Sequence, residues 1–479
     1  MKAETAAEDL GLESVRPIAS DQRTSTPSAQ FWIWAGANVA PINWVLGTIG
    51  IQLGLSFAET MAVIIIGNLL GATLFGLFCM MGHRTGANQL VLSRLAFGRR
   101  GAYLVCAGQL LMSMAWVGVN TWVVLDFAVA ALNRMGIHAG SWMPYAIAAI
   151  IMIIQIALAV KGFRAIQVFE RWTMPIVLLV MAVMTVLALT RKEFEPLATH
   201  GAGPGGIVAM SQLMTAIGVG WSITWLVYAS DYTRFVPAGE APKKVFTATA
   251  LGMFLPTVWL AGLGAALASS GSATDPAQMV ITAFGAMSLP VLLLVLHGPI
   301  AANIVVMYSA SLAALSMDLR TGRWKIPVAT GVTASAVLIW FLNAHDVGES
   351  FKQWLVSLVF WMAPWAGICL VDFYVLRRAR ISVDDCYEPG STSRLGDFSK
   401  NGVLALVAGL VAAWSFQVGA VSALTGPLSR ITGGLDLSWL TGMLVGGGAY
   451  WLLARKSVAP SPAETEVNLI VGAVSGEPR

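Results

Sequence analysis

Charge is scarce in this 479-residue chain: Asp, Glu, Lys and Arg together make up 11% of it, less than half of the roughly 25% usual in a soluble domain. So few charges cannot clothe a water-exposed surface for a chain of this length, which excludes an ordinary soluble globule. The net charge is only +4, which leaves no broad basic face for nucleic acid. Cysteine is also rare. Cys79, Cys106, Cys369 and Cys386 are the four, the first three lie in apolar segments, and no CxxC or Cys/His spacing points to a metal site or a disulfide framework. No cofactor motif is present. Met1 to Gln30 lacks an apolar core and is not a signal peptide.

What the chain has instead is apolar length. Hydrophobic residues make up 57% of it and the mean hydropathy is +0.72. Stretches near 31–53, 57–81, 101–133, 142–162, 168–190, 207–230, 244–269, 286–316, 325–343, 351–377, 401–422 and 437–454 are each close to the length that crosses a bilayer. Helices that cross lipid satisfy their own backbone, and so many apolar helices fit no water-soluble core. Basic residues fill every second loop: His83, Arg84, Arg94, Arg99 and Arg100; Lys161, Arg164 and Arg171; Arg234, Lys243 and Lys244; Arg320, Arg323 and Lys325; Arg377, Arg378, Arg380, Arg394 and Lys400. The other loops hold little: Arg134, the balanced Arg191-Lys192-Glu193, and Arg430. Lys and Arg mark the cytoplasmic side. The expectation is a multi-pass protein of the plasma membrane with both termini in the cytoplasm and disordered tails over 1–30 and 457–479.

Polar residues left inside these stretches are costly and point to function. Two spans are interrupted. The first reads Trp34-Ala35-Gly36-Ala37-Asn38-Val39-Ala40-Pro41-Ile42-Asn43-Trp44, and the sixth reads Ile217-Gly218-Val219-Gly220-Trp221-Ser222-Ile223-Thr224-Trp225. They occupy matching places in consecutive five-helix units, where transporters with inverted repeats open a helix to bind solute and ion; Gly and Pro also simply kink or pack membrane helices. In the third span Gln109, Ser113, Trp116 and Asn120 share one face. An indole beside amides suits a flat heteroaromatic solute, and the same residues also serve as interhelical glue. The eighth span carries His297-Gly298-Pro299 and then Asn303, Tyr308 and Ser309. His297 reads either as a proton relay or as a neutral partner of a carbonyl freed by Pro299.

These residues belong to longer motifs. Gly82-His83-Arg84-Thr85-Gly86-Ala87-Asn88-Gln89-Leu90-Val91-Leu92-Ser93-Arg94, followed by Phe97-Gly98, resembles the loop between the second and third spans of the nucleobase:cation symporter-1 family, the cytosine/purine permeases. Ala229-Ser230-Asp231-Tyr232-Thr233-Arg234-Phe235-Val236-Pro237, the run from Asn303 to Leu312, Pro364-Trp365-Ala366-Gly367 with Asp372-Phe373-Tyr374 and Arg377, and Trp34 to Asn38 are similar to further segments of that family. The resemblance covers about residues 30 to 455.

It implies an all-α, LeuT-like fold of twelve membrane helices: a five-helix repeat over 31–190, its inverted copy over 207–377, and two more helices over 401–454. It also implies cation-driven uptake of a nucleobase or related heterocycle by alternating access, with the bilayer and the small solute as partners. By position, Trp116 is the aromatic platform, Asn120 its polar partner, and Gly220-Trp221-Ser222 the opposing stack; Asn303 makes a bidentate amide contact to the ring edge. Asn38 and Ser113 complete the substrate set, His297, Ala37 and Gly298 are the cation-coupling positions, and Asp231 and Arg234 pair as a gating element.

The chain departs from the family pattern in two places. Where sodium-using members carry hydroxyls before the eighth-span Asn, it has His297 and Gly298; a His nitrogen is a poor sodium ligand, so the coupling ion is expected to be a proton rather than sodium. Counting back from Asp231 puts Ser222 where some relatives place the stacking ring, with Trp221 and Trp225 flanking it; Trp221 is taken as that ring. Competing readings are a carrier for allantoin, a hydantoin, thiamine or a pyridoxine-type ring, a passive channel, and a membrane enzyme using His297 with Asp126 or Asp372. No spacing joins a nucleophile, base and orienter, so the chain is not expected to be an enzyme.

Overall fold

The computed structural model describes residues 15–458 except 40–41, 139, 162, 191–194, 200–202, 271–275, 320, 323, 344–346 and 420–423. Ala40 and Pro41, Arg191 to Glu193, Arg320, Arg323, most of the 457–479 tail and the side chains of Arg164, Arg171 and His297 therefore lie outside what is described.

Every span expected from the sequence is helical. The first is in two pieces, Pro27–Asn38 and Ile42–Gln52, followed by Phe57–Thr85, Tyr103–Arg134, Met143–Lys161 and Phe163–Leu189. The sixth runs in consecutive pieces from Gly206 to Thr233, and the seventh is Pro242–Ser269. Ser288–Val295 and His297–Ser316 form the eighth, then come Lys325–Asn343, Val347–Leu370 continued by Val371–Leu376, Lys400–Ser415 and Ser438–Ala454. Seven of these helices are long and apolar enough to cross a membrane by length and composition. Among the described residues there is no strand.

Local chemistry sets the ends. Ser56 accepts from the Glu59 N–H at 3.2 Å while Glu59 accepts from the Ser56 N–H at 2.8 Å, a reciprocal cap that starts the second span. Gly86 stops it in the left-handed region at φ 69°. Exposed apolar side chains such as Ile66, Leu69, Leu111, Ile153 and Val407 make an outer belt, whereas Asn38, Asn68, Gln109, Asn120, Gln155 and Asn303 are buried. The interior is thus more polar than the outer belt, as lipid requires.

Two features differ from the sequence reading. The short helices Gln89–Leu92 and Arg94–Phe97 occupy the basic loop, and Pro276–Phe284 precedes the eighth span. Within the expected tail, residues 15–30 are anchored at a few points, with Ser25 and Gln30 buried. Val15 is buried, its carbonyl accepts from the Tyr387 hydroxyl at 2.8 Å, the Ile18 N–H donates to Gly86 O at 2.9 Å, and the Ser25 N–H donates to Phe235 O at 2.9 Å. This strap ties three loops of the basic side together because their carbonyls and hydroxyl give it the partners that water would otherwise supply.

Candidate functional site

The first span opens after Asn38, where Val39 leaves helical geometry at φ −79°, ψ 69°. The freed carbonyl of Asn38 accepts from Asn43 Nδ2 at 2.6 Å. Asn38 then uses both ends of its own amide: Nδ2 donates to Trp34 O at 2.9 Å, and Oδ1 accepts from Trp221 Nε1 at 2.8 Å and Thr257 Oγ1 at 3.1 Å. In this arrangement the amide joins the first, sixth and seventh spans, and the protein itself supplies its partners. Ala37 is buried in the last turn before the opening.

The sixth span bends rather than unwinds. A wide turn over Met214–Gly218 ends at Gly218, whose ψ is −110°. The carbonyl released there, Ile217 O, accepts from Asn68 Nδ2 of the second span at 2.9 Å. Asn68 escaped the sequence reading; its only signal was one amide within Ile64-Ile65-Ile66-Gly67-Asn68-Leu69-Leu70. Gly220 is required by the bend, since a Cβ there would sit 1.6 Å from Thr215 O. The second span lies flush against it, and a Cβ on Gly67 would meet Gly218 Cα at 2.5 Å.

The polar face of the third span turns toward both interrupted and intact helices. Gln109 Nε2 donates to Ser113 Oγ at 3.1 Å, and Ser113 Oγ lies 3.4 Å from the Tyr228 hydroxyl of the sixth span. One turn on, Trp116 meets Trp221 edge to face, with ring centroids 5.7 Å apart at 89°. Two perpendicular indoles form a corner: a flat ring stacked on one is met at its edge by the other. The Trp221 N–H is bonded to Asn38, and its ring is buried between Trp116 and Trp225. Ser222 points elsewhere, against the second span, since a Cβ on Gly71 would lie 2.6 Å from Ser222 Cβ. Trp221, expected with it, stands against Trp116 instead, with Trp225 behind it at 6.2 Å.

At the end of the stripe, Asn120 Nδ2 donates to Asn303 Oδ1 at 3.1 Å, while Asn120 Oδ1 is buried with no hydrogen-bond partner among the described residues. Asn303 Nδ2 is spent on the protein: Val117 O at 3.1 Å, Thr121 Oγ1 at 3.0 Å and Gln155 Oε1 at 3.1 Å. In this structure both ends of the Asn303 amide are therefore bonded to the protein, the oxygen to Asn120 and the nitrogen to the cluster of Val117, Thr121 and Gln155. Thr121 and Gln155 were not anticipated. Gly298 is buried near the start of His297–Ser316.

Asp231 and Arg234 lie at the basic end of the sixth span, both 1% exposed. Asp231 Oδ1 accepts from the Gln89 N–H at 3.1 Å, so it caps the short helix Gln89–Leu92. Arg234 reaches the Asp231 carbonyl at 3.2 Å and the Tyr308 hydroxyl at 3.0 Å, and Tyr232 donates to Val305 O at 2.9 Å. These residues fasten the sixth span to the basic loop and to the eighth span.

Beyond the spans, Asp318 closes a second knot on this side. It receives Arg99 Nε at 2.8 Å, Arg94 Nη2 at 3.3 Å and the Tyr103 hydroxyl. Burial opposes its charge, but the bonds from Arg99 and Tyr103 and the nearby Arg94 prevail and hold its carboxyl below the usual range.

Comparison with known proteins agrees with this geometry. The family described as "Permease for cytosine/purines, uracil, thiamine, allantoin" matches residues 17–442. The purine-cytosine permease of Emericella nidulans is 24% identical, covering 95% of this chain and 89% of that protein. The allantoin permease of Bacillus subtilis is 24% identical, covering 93% of each. Among solved structures, Mhp1, a nucleobase-cation-symport-1 family transporter in a closed conformation with bromovinylhydantoin bound, superposes with a TM-score of 0.76 at 20% identity, over 95% of this chain and 98% of that one. Its inward-facing conformation gives 0.71 at 19% identity over 95% and 96%. These likenesses bear out the LeuT-like, all-helical fold, and the chain is a multi-pass membrane protein. With the family matched over most of its length, the chain belongs to the permeases for cytosine and purines, uracil, thiamine and allantoin, and it is a transporter rather than an enzyme.

Proposed function

We propose that the protein is a symporter that imports a nucleobase of the cytosine or purine type across the plasma membrane, with the basic side and both termini in the cytoplasm. The observation that carries this reading is the Trp116–Trp221 corner set beside the Asn120–Asn303 amide pair. A flat ring stacks on the indole, and its edge enters between the amides, replacing their mutual bond with its own. Trp116, Asn120, Trp221 and Asn303 are the contact residues; Ser113 holds the Tyr228 side of the pocket, and Gly220 supports it through the bend. Asn38 and Ser222 serve the frame. Asp231 and Arg234 close the basic side when the sixth span is fastened to the eighth.

Coupling is assigned to protons, with Ala37, His297 and Gly298 as the coupling positions. The support is chemical: His297 and Gly298 offer no side-chain oxygen for sodium. Accumulation in sodium-free buffer under an inward pH gradient is expected, and strict dependence on added sodium overturns the assignment. Competition of cytosine, uracil, adenine, hypoxanthine and allantoin against labelled cytosine tests the substrate. A second reading, a hydantoin or allantoin carrier, is favoured by the allantoin permease relative and by the hydantoin bound in the superposed structure; allantoin winning the competition establishes it.

A further inference from the structure

A hydrogen-bonded cluster behind the amide pair decides which end of Asn303 faces Asn120. Its Nδ2 is held by Val117 O, Thr121 Oγ1 and Gln155 Oε1, at 3.1, 3.0 and 3.1 Å. A backbone carbonyl only accepts, so the end of Asn303 against Val117 is the NH2 group whichever way amides elsewhere are turned. Thr121 Oγ1 in turn lies 2.7 Å from Val117 O and 3.1 Å from Gln155 Oε1, so its single proton serves an acceptor of the same cluster.

Gln155 belongs to the fourth span, which carries no break and none of the residues expected in the site. It is 0% exposed, as are Thr121 and Asn303. Its oxygen is used twice, while its Nε2 has no hydrogen-bond partner among the described residues. A buried donor without a partner is a cost that Met or Leu would avoid. The side chain therefore contributes only through its oxygen, and that oxygen points at Asn303.

We propose that Gln155 is a positioning residue that fixes the Asn303 amide with its oxygen toward Asn120 and the pocket, so that the site takes a ring N–H there and turns away a ring lone pair. The inference rests on the reading of Asn303 as a substrate contact. It narrows the solute to a flat ring that presents an N–H at the edge inserted between Asn120 and Asn303.

Binding to the purified full-length protein is measured for cytosine, uracil, adenine, hypoxanthine and allantoin, and the tightest of them is carried to Gln155→Met, Gln155→Glu and Asn303→Ala. Gln155→Met keeps the volume and loses the acceptor, and it is expected to weaken binding about tenfold with an unchanged unfolding midpoint. Gln155→Glu, neutral at this depth, keeps an oxygen in the same place and is expected to bind within about threefold of wild type. Gln155→Met binding as tightly as wild type, or Gln155→Glu binding no better than Gln155→Met, overturns the inference. Should Gln155→Met fail to fold, loss of binding in Gln155→Glu overturns it alone. Asn303→Ala with wild-type affinity refutes the substrate role of Asn303 instead, and a panel in which nothing binds wild type refutes both readings.

Discussion

Two groups of buried amides flank the Trp116–Trp221 corner, and they are built on opposite terms. Asn38, Asn43 and Asn68 sit where helices open: Asn43 and Asn68 donate to the carbonyls of Asn38 and Ile217, and Asn38 gathers Trp221 and Thr257. They bind the first, second, sixth and seventh spans into one unit by repairing the backbone. Asn120, Gln155 and Asn303 lie on helices that remain wound there, and their bonds join the third, fourth and eighth spans. No released carbonyl demands them.

The difference is a guide to meaning. A buried amide beside a helix break is explained by the break, because an open carbonyl in lipid needs a donor. A buried amide on an intact helix has no such debt, and a ligand or a partner helix must account for it. Between the groups the links are looser: the 5.7 Å indole contact and a 3.4 Å hydroxyl pair. Tighter hydrogen bonds between them are found at the basic end, through Tyr232 and Arg234. Alternating access by one unit rocking against the other needs such a seam.

The contrast is broken most severely by Asn303→Ala, which is expected to abolish accumulation even in the fraction that stays folded, while stranding Asn120 Nδ2 costs about 1–3 kcal/mol; an uptake assay normalised to folded protein, beside a thermal melt, reads both. Asn38→Ala should lower stability by about 1–3 kcal/mol for each polar group left dry and reduce uptake only in proportion to the folded protein lost. If Asn38→Ala melts like wild type, the division between frame and site is wrong. Asn68→Leu tests the same unit from the second span and should cost about 1–3 kcal/mol by stranding Ile217 O.

Smaller effects sharpen the seam. Trp116→Phe should bind more tightly than Trp116→Ala, the face-to-edge contribution of an aromatic pair being about 0.5–1.5 kcal/mol; equal affinities refute stacking as the role of Trp116. The least effect belongs to Asp318, which is about a third exposed. Its carboxyl is held low in the fold, so its stabilisation is present above the unfolded value near 3.9 and is lost as pH falls through the lower folded value. Asp318→Asn should therefore melt earlier than wild type at neutral pH, by no more than about 1 kcal/mol, and the gap should close in strong acid.

Much of this was legible from residues alone because lipid simplifies the code. Runs of apolar residues near the bilayer's length gave the spans, and the stripe from Gln109 to Asn120 could be read from helical spacing, since the third span is one unbroken helix. Trp221 was harder to place. Between Asp231 and the bend at Gly218 the sixth span passes through the tight turn Leu226–Tyr228, and the wide turn Met214–Gly218 lies beyond. A count of sequence positions from Asp231 lands on Ser222, and it carries no information on direction: Ser222 turns to the second span while Trp221 meets Trp116. Asn68, Thr121, Gln155 and Thr257 were out of reach for another reason. Each is a lone polar residue in an apolar run, and its use depends on which helix lies opposite, which no local spacing encodes.

The strap from Val15 to Ser25 has a practical consequence. Because one short segment bonds the turn at Gly86, the corner at Phe235 and Tyr387, its length decides how many of these loops of the basic side stay tied. Affinity tags and fluorescent fusions belong ahead of Val15; trimming past it would lose the Tyr387 bond first, then the Gly86 bond at Ile18 and the Phe235 bond at Ser25.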